Sequence, residues 1–307
     1  MIKSSIQGGT TVKAKDVVML LILSALWGGS FLFMRISAPA LGPLVLIELR
    51  VLLAAITLMI FAMITRHRIQ ILHKCWQYLI LGATNAAIPF TLISYAELRL
   101  GAGLAAILNA TTPMFTALVA WLWTKDRFTL KKFSGVVMGI IGVGILVGGG
   151  SSEQGSHLLR SASFSLLAAI FYGIAGVFSS RHFKGERPMD MAIGQQVAAS
   201  LLLIPFSLNA LPHVIPSRVV LFSVLGLAVF CTAVAYLFYF ALIHRVGPVK
   251  TLTVTFLVPV FGVIWGGLFL REAVTIRLVI GLIILLFSVA FVVHIRFTKP
   301  RTSETVP

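Results

Sequence analysis

Ile107–Arg127 reads ILNATTPMFTALVAWLWTKDR, and Thr255–Val274 reads TFLVPVFGVIWGGLFLREAV. Pro113 precedes Asp126 by 13 residues, and Gly135 follows Asp126 by 9. Pro259 precedes Glu272 by 13, and Gly281 follows Glu272 by 9. Each unit is an apolar run containing proline, a short charged turn, and a second apolar run. Upstream, Trp27-Gly28 matches Tyr172-Gly173, and Arg50 falls roughly where the later copy has Gln196. The chain therefore divides into two repeats, residues 1–155 and 156–307, joined by the glycine-rich link Gly148–Gly155.

The apolar runs fix the solvent. Of 307 residues 58% are hydrophobic and only 11% charged, with mean hydropathy +1.00. Soluble domains carry about 25% charge, so most of this chain is solvated by lipid. A bilayer core about 30 Å thick needs about 20 apolar residues per helix. Nine stretches lack Asp, Glu, Lys and Arg at about that length: Val17–Met34, Cys75–Ala96, Leu100–Thr124, Phe133–Ser152, Ser161–Ser180, Met191–Ser217, Val219–His244, Thr251–Leu270 and Leu278–Ile295. A further one, Gly42–Thr65, is apolar apart from Glu48 and Arg50. The expected fold is all-α, a polytopic membrane protein of ten transmembrane helices, five per repeat. The basic residues before Val17 resemble the start of a signal peptide. The run that follows is longer than a typical signal core and lacks a clean small-residue cleavage site, so it reads as a retained first helix.

Charge sets the expected orientation. Of the 25 Lys and Arg, Arg35 and Arg50 lie within helices or at their ends. Arg99, Arg160, Arg218, Arg271 and Arg277 fall in the loops on one side, which leaves 18 on the other. The positive-inside rule then puts both termini in the cytoplasm of a cell inner membrane. Because five is odd, the second repeat enters the membrane upside down. Inverted repeats of this kind place a binding site near the midplane between the halves.

These residues carry a family resemblance. LWGGSFLFMRI (Leu26–Ile36), Arg50 in ELRVLLAA, and the two proline-to-acid-to-glycine units resemble the drug/metabolite transporter superfamily, and specifically its EamA-type members. The resemblance covers nearly the whole chain. It implies a fold shared with that family and a role in moving small organic solutes, in many members the export of amino acids, metabolites or drugs. One departure is Lys125-Asp126, where the pattern more often has Glu.

The polar residues at membrane depth outline the expected passage: Trp27, Ser30, Arg50, Asn85, Tyr95, Asn109, Thr112, Tyr172, Gln196, Tyr236 and Thr255. Such groups need a partner, either another helix or a solute. Arg50 either lines the cavity and binds an anionic group such as a carboxylate, or snorkels at the interface. Glu48, the one acid inside an apolar stretch, either pairs with Arg35, takes up a proton as the coupling residue, or sits shallowly. Pro113 and Pro259 free backbone carbonyls and either permit gating or fix a kink. Asp126 and Glu272 suit caps for the helices that follow them. Gly135, Gly139, Gly142 and Gly144 allow close helix contact, within the chain or in a homodimer.

Several classes are excluded. Cys75 and Cys231 have neither metal spacing nor a disulfide framework, and no cofactor or metal is expected. No phosphate loop accompanies Gly148–Gly150, which argues against an ATP-driven pump. The net charge of +16 sits in membrane-facing loops, so the expected partners are the lipid bilayer and a small-molecule substrate rather than nucleic acid. The expected function is a secondary transporter, an exporter of small organic solutes by alternating access. A non-transporting membrane subunit and a membrane-embedded lipid-modifying enzyme are the alternatives.

Overall fold

The computed structural model describes residues 13–125, 128–148, 152–212 and 215–293, and all regular structure among them is helical. Ten apolar helices follow in order: α1 (Ala14–Leu41), α2 (Pro43–Ile64), α3 (Leu72–Glu97), α4 (Ala102–Thr124), α5 (Leu130–Val147), α6 (Ser156–His182), α7 (Pro188–Leu208), α8 (Arg218–Val246), α9 (Val254–Leu270) and α10 (Ile276–Val293). In lipid each segment must satisfy its own backbone, so these runs become helices. Nine are long enough to span a bilayer; α9, at 17 residues, is preceded by the short helix Pro248–Thr251. Gly42, with φ at +74°, makes the sharp turn from α1, and Pro43 opens α2 where no amide donor is needed.

The two halves repeat in space as well as in sequence. Helix α1 packs along α9, and its counterpart α6 packs along α4. Helix α3 packs on α6 as α8 packs on α1, and α2 meets α8 as α7 meets α3. The pairs α2–α7, α4–α9 and α5–α10 bring each helix against its own counterpart. These contacts survive exchange of the halves, as a pseudo-two-fold axis requires. Backbone geometry agrees: Lys125 and Arg271, each 12 residues after its proline, both end their helices in the left-handed region, at φ +55° and +54°.

Small residues make the crossings close. A Cβ on Gly28 would lie 2.6 Å from the Phe261 Cβ in α9, and one on Gly173 would lie 2.9 Å from the Thr116 nitrogen in α4. The same tryptophan- or tyrosine-glycine pair therefore docks the first helix of each half onto the proline-bearing helix of the other. Helices α5 and α10 bury least and stand at the periphery, with Ile140, Ile141, Phe287 and Phe291 exposed toward lipid. Their mutual contact accounts for the glycines: Gly135 faces Val292 and the Ser288 carbonyl, Gly139 faces Met114 and Ser288, and Gly142 faces Ile284 and Leu285. Those three serve an intramolecular seam, while Gly144 has open space around it.

Candidate functional site

Two helices carry a local change of pitch at the middle of the bundle. Ala83–Ala87 in α3 and Gly226–Val234 in its counterpart α8 are π-helical. The wider turn gives the Thr232 hydroxyl the Leu227 carbonyl, five residues back, at 2.9 Å. Such bulges re-aim side chains and concentrate at functional sites. Here Asn85 from one and Cys231 and Thr232 from the other face a common cavity of about 410 Å³. In α4 the helix is interrupted between Asn109 and Thr112, because Pro113 cannot donate to the carbonyl of Asn109. The Thr112 hydroxyl takes that carbonyl instead, at 2.7 Å. Helix α9 runs unbroken through Pro259.

The cavity is aromatic along much of its wall. The Trp27 and Tyr239 rings are 5.4 Å apart, and Phe90 and Tyr172 meet edge-on at 6.3 Å. A polar relay crosses one side: Asn85 Nδ2 donates to Gln195 Oε1 at 2.7 Å, and Gln195 Nε2 donates to the Tyr236 hydroxyl at 2.5 Å. The Asn109 Oδ1 is buried with no partner among the described residues.

Among the described residues Arg50 is the one charged residue in the lining. It is 4% exposed, seven residues into α2, or about 10 Å along the helix axis. Its Nε donates to Thr232 Oγ1 at 3.1 Å, an Nη lies 3.4 Å from Met34 Sδ, and the guanidinium sits 3.7 Å from the Phe90 ring centroid. Among the described residues no carboxylate lies within ion-pair distance. Arg50 is therefore interior, not a snorkelling residue at the interface.

The cavity extends from Arg50 toward the end of the bundle that holds the α2–α3, α6–α7 and α8–α9 loops, where Leu252 is 42% exposed. At the other end α1, α4 and α9 close together: Gly262 packs on Ala106, and Gly103 on Val263. There Glu272 Oε1 accepts from the Ala102 amide at 2.7 Å, and Oε2 from Gly103 at 3.1 Å.

Of the residues expected from sequence, Trp27, Ser30, Arg50, Asn85, Asn109, Thr112, Tyr172, Tyr236 and Thr255 line this one cavity, as do Pro113 and Pro259. Tyr95 does not: it is 38% exposed and packs on Phe164. Gln196 does not either: it is fully buried in α7, and both amide atoms lack partners among the described residues. Gln195, about 100° around the same helix, makes the relay instead. Glu48 lies outside the cavity and accepts from Ser200 of α7 at 2.5 Å. It does not pair with Arg35, whose guanidinium donates to the backbone carbonyl of Glu97. Glu272 caps α4 of the other half rather than α10, the helix that follows it. Asp126 lies outside the described residues.

Glu48 is also not the only helical acid. Asp16 and Asp190 are buried in the first turns of α1 and α7. Glu97, at the end of α3, is fully buried, and neither carboxylate oxygen has a hydrogen-bond partner among the described residues. In the sequence Glu97 follows the apolar stretch Cys75–Ala96 and stands two residues before Arg99, where an acid reads as the start of a loop.

At the cavity's open end ionic contacts tie the halves together. Asp190 accepts from His67 at 2.9 Å and pairs with Arg187 at 2.7 Å; Glu186 pairs with Lys74 at 2.8 Å and His73 at 3.1 Å; Asp16 pairs with Arg245 at 2.5 Å. The Lys74 ammonium and the His73 ring hold the Glu186 carboxyl below its ordinary range.

Comparison with known proteins returns a consistent set. The model of the EamA-like transporter family matches residues 15–148 and 159–294. The chain is 23% identical over 287 residues to the uncharacterized transporter YvbV of Bacillus subtilis, covering 91% of this chain and 92% of that one. It is 25% identical to a Salmonella typhimurium protein named as a probable amino-acid metabolite efflux pump (85% and 89% covered). It is also 25% identical to the uncharacterized inner membrane transporter YedA of Escherichia coli (94% of each). A solved crystal structure superposes with TM-score 0.63 at 16% identity over 91% of this chain and 96% of that one, a likeness of fold alone.

Proposed function

Because the chain belongs to the EamA-like transporter family, we propose that it exports small organic solutes bearing a carboxylate, amino acids or their metabolites, by alternating access from the cytoplasm. The observation that carries this reading is Arg50. A buried guanidinium without a counterion is costly, and here it stands at the closed end of an aromatic cavity of about 410 Å³. A carboxylate entering that cavity would supply the missing charge and a charge-assisted hydrogen bond. Asn109, whose Oδ1 has no partner among the described residues, offers an acceptor for an ammonium group on the same solute. The Salmonella relative's name points to the same class of cargo.

The closed crossing of α1, α4 and α9 and the exposed Leu252 suit a state open toward one side. By the charge rule that side is the cytoplasm, with both termini. The test is flux of radiolabelled amino acids and of their amidated analogues in vesicles holding the full chain. The acids should move faster than the amides, and Arg50→Gln should lose about 10²-fold of the acid rate, the scale of a desolvated charge pair. Equal flux of acid and amide through the unaltered protein would sink the reading.

A further inference from the structure

The sealed end of the bundle holds a carboxylate that the cavity does not use. Glu97 is 0% exposed at the last turn of α3, one turn beyond the cavity-lining Ile93. Its two carboxylate oxygens have no hydrogen-bond partner among the described residues. Three charged groups act on it: Arg35 of α1, Glu272 of the α9–α10 turn, and Arg50 of α2. Arg35 is bound to the backbone carbonyl of Glu97, not to its carboxylate. Glu272 spends both oxygens on the α4 amides.

An ionised carboxylate so placed would have neither water nor a donor, a cost of several kcal/mol. It would also be repelled by Glu272. Separation of α1, α4 and α9 at this end would bring water to Glu97 and free Arg35 to turn from the backbone carbonyl to the carboxylate.

We propose that Glu97 is a proton-binding gate residue: it carries a proton while this end of the passage is sealed, and gives it up to water, pairing with Arg35, when that end opens. Acid outside holds the seal shut; alkali releases it. This rests on the transport reading above, including the assignment of the sealed end to the outside, and adds to it a residue and a proton.

The test follows gate opening without any solute. Ser30, which lines the cavity and is 6% exposed, is replaced by cysteine in the full chain carrying Cys75→Ser and Cys231→Ala. A membrane-impermeant maleimide is applied outside intact cells over a range of external pH. Labelling is expressed as a ratio to the same protein carrying Glu97→Gln, which cancels the thiol's own pH dependence. The ratio should be near one in acid and rise with pH by up to about tenfold per unit, the limit for one linked proton. Glu97→Asp should keep the rise, since it keeps the proton site. A ratio flat with pH, or a rise that Glu97→Asp abolishes, would overturn the proposal. Solute flux measured on the same proteins is a separate readout: a pH-dependent ratio without flux upholds the gate and sinks the transport reading.

Discussion

Glu272, in the second half, caps the helix that begins at Ala102 in the first: one carboxylate oxygen accepts the Ala102 amide at 2.7 Å and the other the Gly103 amide at 3.1 Å. The N-terminus of α4 has unsatisfied amides and a partial positive charge, and a carboxylate from α9's C-terminal turn meets both needs. The Pro259-to-Glu272 spacing thus docks the second half on the first. Glu272→Ala should lower thermal stability by about 0.5–2 kcal/mol, the usual worth of a lost N-cap. Glu272→Gln should lose less, because one amide oxygen still accepts. Melting in detergent micelles, compared across the two variants, checks the order.

The α1–α9 crossing sets a second expectation. A methyl on Gly28 would meet Phe261 Cβ at 2.6 Å and the Gly262 nitrogen at 2.9 Å, and backbone cannot step aside. Gly28→Ala should destabilise by about 1–3 kcal/mol, the cost of overpacking. Gly144→Ala, with nothing within 4 Å of the added carbon, should be neutral or stabilise by up to about 1 kcal/mol through helix propensity. Equal melting shifts for the pair would contradict the crossing.

Ser200 supplies the hydrogen bond that Glu48 receives, at 2.5 Å, and the other Glu48 oxygen has no partner among the described residues. Removing the hydroxyl leaves a buried carboxyl group without a donor. Ser200→Ala should cost about 1–3 kcal/mol, and Ser200→Thr should restore much of it. The flux assay on Ser200→Ala vesicles should show an unchanged preference for acid over amide, since neither residue lines the cavity.

Acid should loosen the tie between the α2–α3 and α6–α7 loops. Glu186 is held below its ordinary carboxylate range by hydrogen bonds from Lys74 and His73. A lowered folded-state value means the unfolded chain takes up its proton first as pH falls. The contribution is therefore full above the ordinary range and disappears as pH drops through the lowered value. Subtracting the melting temperature of Glu186→Gln from that of the unaltered protein, at each pH, should give a difference that is flat near neutrality and shrinks to zero in acid. A difference that grows in acid would reverse the sign and refute the pairing.

The helices and most of the cavity wall were legible because they follow from one-dimensional rules. Lipid forces an apolar run of about 20 residues into a helix, and an amide or arginine in such a run must turn inward. That logic found Arg50, Asn85 and Asn109. It placed Gln196 in the lining, whereas Gln196 is buried away from it and Gln195 reaches the lining residues Asn85 and Tyr236, because one residue is about 100° on a helix and the sequence does not say which angle faces the centre. It placed Tyr95 inside although that residue packs outward on Phe164. Phe90 carries no polar group, and nothing local distinguishes Tyr239 from Tyr236 three residues before it, yet Phe90 and Tyr239 form the wall with Tyr172 and Trp27.

The sequence by itself determined the ten helices, their division into two like halves, and the inversion of one against the other, since these depend only on run length, periodic spacing and an odd count. Tertiary structure alone decided the partners. Glu272 reaches Ala102 at a separation of 170 residues, Thr232 meets Arg50 at 182, and Glu97 loses its water in a crossing that no local pattern announces. Run length measures affinity for lipid one segment at a time, whereas the environment of a charge is a sum over neighbours brought together from both halves of the chain.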